Sequence, residues 1–198
     1  MGLSAGARTA ARGGPAVLLA LARGLEAIVG AIGRTVRWLA VALVLVQLAV
    51  VVLRYAFGTS YIWLQESVIY THAVLFMLSI GWTLLLDRHV RVDVFYARWS
   101  PATKAAVDLL AVLFAALPFC ALVIWASWGY VAVSFRLGEG PMQVGGLPLL
   151  PWLKALVPAM AILLALAAIA IAARAVLVLA GRAETHLPRR SGHGGPEA

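Results

Sequence analysis

Four long uncharged runs constrain this chain more than any other feature: Trp38–Leu53, Ser67–Leu86, Leu109–Phe135 and Ala155–Ala173. A bilayer core about 30 Å thick takes about 20 helical residues, and three of the runs reach or approach that length unaided. The first holds sixteen residues; it is expected to recruit Thr35 and Val36, with Arg34, Arg37 and Arg54 snorkelling towards the headgroups. The third is long enough to tilt or bend, and Pro118 supplies a cause for a bend, because it lacks a backbone donor and crowds the preceding turn. The spacing predicts an all-α integral membrane protein with four transmembrane helices, over about 36–55, 67–86, 109–135 and 155–179. The membrane domain then covers 21–181, between a flexible leader at 1–20 and a disordered polar tail at 182–198.

Direction follows from the basic residues. Thirteen of the 16 Lys and Arg lie before the first span, between the second and third, or after the fourth; Arg54, Arg136 and Lys154 lie in the other two loops. The excess of positive charge marks the cytoplasmic side, so both termini are expected in the cytoplasm. The net charge of +8 is therefore a topology signal rather than a nucleic-acid footprint, since the basic residues sit at the ends of apolar runs and form no stripe. A short apolar run at Pro15–Ala22 after Arg8 and Arg12 faintly resembles a signal peptide, but Arg23 follows at once.

Two amphipathic interfacial helices are expected beside the spans. Leu21, Leu25, Ile28, Val29, Ile32 and Val36 recur at helical steps, and Gly30 and Gly33 offer a place to turn into the first span. In the middle loop Val92, Phe95, Tyr96 and Trp99 repeat the pattern over about 90–99. Ser100 then reads as an N-cap with Pro101 at the first helical position. These apolar faces imply membrane lipids as partners. Of the outer loops, Gly58–Trp63 places Tyr61 and Trp63 in the aromatic belt, and Leu137–Pro151, rich in Gly and Pro, suits an ordered turn or a shallow apolar segment.

Few residues carry chemistry. Glu66 stands at the mouth of the second span, where a charge needs solvent or a partner; Arg54, at the neighbouring end of the first span, is the expected ion-pair partner. His72 lies inside the second span and, with Gln65, Ser79 and Thr83, forms a sparse polar stripe that reads as helix–helix contact. Asp87, His89 and Asp93 cluster, but adjacent basic residues favour local salt bridges over a metal site. No HExxH, nucleophile triad, P-loop or dinucleotide glycine pattern is present. No catalytic residue, cofactor or metal is expected, and the apolar interiors of the spans with no internal repeat argue against a carrier acting alone.

Several local pieces occur in an order that resembles the small permease subunit, DctQ-like, of tripartite ATP-independent periplasmic (TRAP) transporters. They are Arg54-Tyr55-Ala56-Phe57 followed by Trp63-Leu64-Gln65-Glu66, then Gly81 and Arg88-His89-Val90-Arg91-Val92-Asp93. Asp108, Pro118 and Phe119 follow, and then Ser134 to Glu139 ahead of Gly145-Gly146-Leu147-Pro148. Gln65 departs from the acidic residue common in relatives. The resemblance implies a subunit of a sodium-coupled importer of organic acids, embedded in the bacterial inner membrane. Its partners would be a large multispan permease, which would bind sodium and substrate, and a periplasmic substrate-binding protein. Arg54, Trp63, Gln65, Glu66, His72, Gly81, Arg88, His89 and Asp93 would serve structure or subunit contact, and Arg136 and Glu139 are candidates for binding-protein contact. An anchoring subunit of a different complex is the alternative, and a lipid-modifying enzyme a more distant one.

Overall fold

The computed structural model describes residues 5–86 and 99–181, with side chains from Pro15 onward. The described residues form six α-helices, α1 (Ala5–Val36), α2 (Leu39–Ala56), α3 (Ile62–Leu85), α4 (Pro101–Ala111), α5 (Leu117–Leu137) and α6 (Leu150–Leu179), with a π-helical turn at Val112–Ala116 joining α4 to α5. Four helical stretches are long and apolar enough to cross a membrane: Pro15–Ala56, Ile62–Leu85, Pro101–Leu137 and Leu150–Leu179. The expected four-span all-α architecture is therefore present. The expected leader falls largely within α1, which begins at Ala5. The tail from 182 and the loop carrying Arg88, His89 and Asp93, with most of its expected surface helix, lie outside the described residues.

α6 is the centre of the bundle and packs against α1, α3, α4 and α5. Its buried residues include Ala161, Ala167, Ala168, Ala170, Ala173 and Ala175. Small side chains let neighbouring backbones approach, which is how helices associate where lipid removes the hydrophobic drive. Gly81 of α3 shows the consequence: a Cβ there would lie 2.7 Å from the Leu163 carbonyl oxygen and 3.2 Å from Val29 Cγ1. Three helices thus meet at a residue that has no side chain to keep them apart. Around it Val29, Leu85, Val112, Ala167, Ala168, Ala170 and Ile171 form the main core, and Ala105, Ala175 and Val178 a second one where α4 meets the end of α6. α2, by contrast, buries none of its residues and leans mainly on α3.

The bend expected at Pro118 takes the form of the π turn just before it. Leu117 N–H reaches back five residues to the Val112 carbonyl, so the chain widens by one residue where the proline ring would otherwise strike the preceding turn. Ser100 caps α4 as its sequence suggests, accepting from the Thr103 N–H at 3.2 Å with Pro101 following. The turn between α1 and α2 falls at Arg37–Trp38, not at Gly30 and Gly33. The Trp38 N–H bonds to the Thr35 carbonyl at 3.2 Å and the Ala40 N–H to the Arg37 carbonyl at 3.1 Å, both of them three-residue bonds that break the α ladder. Gly33 has a packing role instead: a Cβ there would overlap the Trp82 side chain.

Candidate functional site

Two clusters of charged residues lie at the ends of the bundle, and each ties elements of the chain together. At one end α5 stops at Gly138, whose φ of +59° is left-handed and suits glycine. The Glu139 N–H then bonds back to the Ser134 carbonyl at 3.3 Å. The chain folds across the bundle through a second left-handed glycine, Gly145 (φ +83°), and the Gly146 N–H closes a turn on the Gln143 carbonyl at 2.9 Å. This is the ordered turn the Gly/Pro composition suggested.

Glu66 is the anchor of that loop. α3 begins at Ile62, five residues ahead of the expected Ser67, so Glu66 lies inside the helix and is 3% exposed. Its Oε2 accepts the Leu147 N–H at 2.6 Å, and a Cβ on Gly146 would overlap the carboxylate, so the turn seats directly against it. The expected Arg54–Glu66 pair is not formed among the described residues: Arg54 is exposed at the end of α2, whereas Glu66 points under the α5–α6 loop. Arg54 lies in the last turn of α2, whereas Glu66 lies a turn inside α3 and is engaged by the Leu147 N–H. Glu66 Oε1 and, one turn along α3, Tyr70 Oη are buried with no hydrogen-bond partner among the described residues.

Glu139 is held on the same surface. Its Oε2 accepts from Ser134 Oγ at 2.6 Å and from Lys154 Nζ, joining α5, the loop and α6. Those hydrogen bonds, the Lys154 one foremost, hold the Glu139 carboxyl below the ordinary 4.5. Phe135 meets Trp152 edge-on at 5.2 Å beside them. Arg136 is exposed on the last turn of α5. Trp63 is exposed, and its ring centroid lies 6.3 Å from that of Tyr61.

At the opposite end Arg174 of α6 grips Glu26 of α1 with two parallel bonds, Nε to Oε1 and Nη2 to Oε2, the latter 2.7 Å long. Arg174 lies about 36 Å along α6 from Leu150, beyond the thickness of the hydrocarbon core. An ion pair is affordable at that depth. Neither residue stands out in the sequence, where each is one charge beside an apolar run. The signal that pointed to Glu26 is its place on α1: it lies between Ala22 and Val29, both buried, on the face turned to the bundle.

Among the described residues, no hydrogen bond joins the polar stripe on α3 to another helix. Ser79 and Thr83 hydroxyls donate to carbonyls of their own helix, at 3.2 and 2.8 Å, and Gln65 Nε2 donates to Ser60 Oγ at 2.8 Å. His72 is exposed and stacks on Phe76, with 6.2 Å between ring centroids and 11° between the planes.

What these clusters do chemically is hold the bundle closed at both ends of an apolar core. No curated protein and no solved structure matches the chain. The family model "Tripartite ATP-independent periplasmic transporters, DctQ component" matches residues 43–178, from within α2 nearly to the end of α6, and the chain belongs to that family, the small permease subunits of TRAP transporters.

Proposed function

We propose that this chain is the static membrane subunit of a sodium-coupled, binding-protein-dependent importer of organic acids, and that it scaffolds the large permease without carrying substrate itself. Systems of this family combine the small subunit with a large permease and a periplasmic binding protein. The observation that carries the scaffold reading is the use made of Glu26, Glu66, Glu139, Lys154 and Arg174. Each is engaged in joining elements of the chain to one another. A translocation path needs polar groups along its length that are not committed to fixed contacts. The core between the two ends is built from Ala, Val, Leu and Ile.

On the positive-inside count, the Glu26–Arg174 end faces the cytoplasm and the Glu66–Glu139 end the periplasm. The loop braced by Glu66 and Glu139 then presents a firm surface to a binding protein. Of the two candidate contacts, exposed Arg136 is the better placed, since the Glu139 carboxylate is taken up by Ser134 and Lys154.

Reconstitution tests the reading. Proteoliposomes holding the large permease should take up an organic acid, delivered by the binding protein, under an inward sodium gradient only when this chain is also present. Full uptake without it would reject the scaffold role.

A further inference from the structure

The least buried helix of the bundle carries a polar residue at mid-depth. Gln47 is the ninth of the eighteen residues of α2, about 12–14 Å from either end. His72 lies about 15–20 Å from the ends of α3. Both are therefore near the middle of the bilayer, both are exposed, and both line one groove of about 380 Å³ whose remaining walls are Leu43, Val68 and Ile69. Neither side chain makes a hydrogen bond to any described residue. Phe76, stacked against the His72 ring, steadies it beside the groove.

An amide and an imidazole facing lipid tails are unfavourable, because hydrocarbon offers no donor or acceptor. A water-filled path does not account for them either: two polar groups in an otherwise aliphatic groove form no continuous hydrophilic wall. An aliphatic groove with a donor and an acceptor at one depth matches a transmembrane helix that brings one hydrogen-bonding side chain to the same depth.

We propose that the α2–α3 groove seats a transmembrane helix of the large permease, which pairs a polar side chain with Gln47 and His72. The inference rests on the reading of this chain as a scaffold for that permease, and it assigns the face on which assembly occurs. It also gives α2, none of whose residues is fully buried within the chain, a further packing surface.

Photo-crosslinking in the native membrane tests it, with a benzophenone amino acid placed singly at Gln47, at His72 and at Trp128, the last being an exposed position on α5. The probes at 47 and 72 are expected to capture the permease and the one at 128 to leave it free. In parallel, the Gln47→Leu, His72→Leu double variant should retain roughly tenfold less permease in mild detergent, and His72→Gln should recover part of the loss. These positions are exposed, so the variants are expected to keep the wild-type melting temperature. Capture of a second copy of this chain, capture of lipid alone, or capture only from position 128 would overturn the assigned face. Failure of the wild-type chain to retain any permease would overturn the scaffold reading along with it.

Discussion

Glu66 shows how one buried carboxylate can organise a distant loop. Its partner is a backbone N–H 81 residues further along the chain, and the adjoining Gly146 leaves room for nothing larger than hydrogen. Glu66→Ala leaves the Leu147 N–H without its acceptor and should destabilise the protein by about 1–3 kcal/mol, read as a lower unfolding midpoint in detergent. Glu66→Gln keeps an acceptor oxygen and should lose less; equal losses would show that the hydrogen bond is not the reason for the effect. Glu139 gives the same loop a pH dependence. Its carboxyl is held below 4.5 by Lys154 and Ser134, so the stabilisation is fully present above about 4.5 and is lost as the pH falls through the lowered value. Glu139→Gln should flatten the acid limb of a stability–pH profile, and an unchanged limb would contradict the assignment. The prominence of Glu66 was legible in the sequence, because an acid beside an apolar run stands out. Its partner was not, because a backbone donor carries no side-chain signature, and Arg54 offered a nearer and chemically obvious choice.

At the scale of elements, the helices were readable where a run or a cap announces itself. The four spans came from apolar length, the start of α4 from Ser100–Pro101, and the distortion in the third span from Pro118. Contacts between helices were less readable. Gly81 stood out through the family resemblance, but its reason, the Leu163 carbonyl across the α3–α6 contact, exists only once the helices are assembled. The Glu26–Arg174 clamp was hidden because both residues look like ordinary charges at a membrane boundary. It joins α1 to α6 through a bidentate geometry that fixes direction as well as distance. Arg174→Ala should cost about 2 kcal/mol and make Arg23 of α1 more accessible to trypsin. The exchange Glu26→Arg with Arg174→Glu should restore part of both. If the single variant melts and resists cleavage like the wild type, α1 is held by its apolar face alone.

For the whole molecule, a multi-pass inner-membrane protein of this family, the decisive asymmetry is between a tightly packed α6 and an unburied α2. Packing is concentrated on one helix, and the polar bracing sits at the ends. That distribution is what the proposed scaffold role asks of a static body. The proposed orientation rests on the basic residues and can be checked directly. A cysteine placed at Gly140 should react with a membrane-impermeant maleimide in intact cells, and one at Gly24 only after permeabilisation; the reverse pattern would invert the topology. The most direct test of the scaffold role is to purify the tagged chain from its native membrane in gentle detergent and identify every protein that accompanies it. A large multispan permease should be recovered in fixed proportion; recovery of this chain alone, under conditions that preserve other membrane complexes, would contradict it.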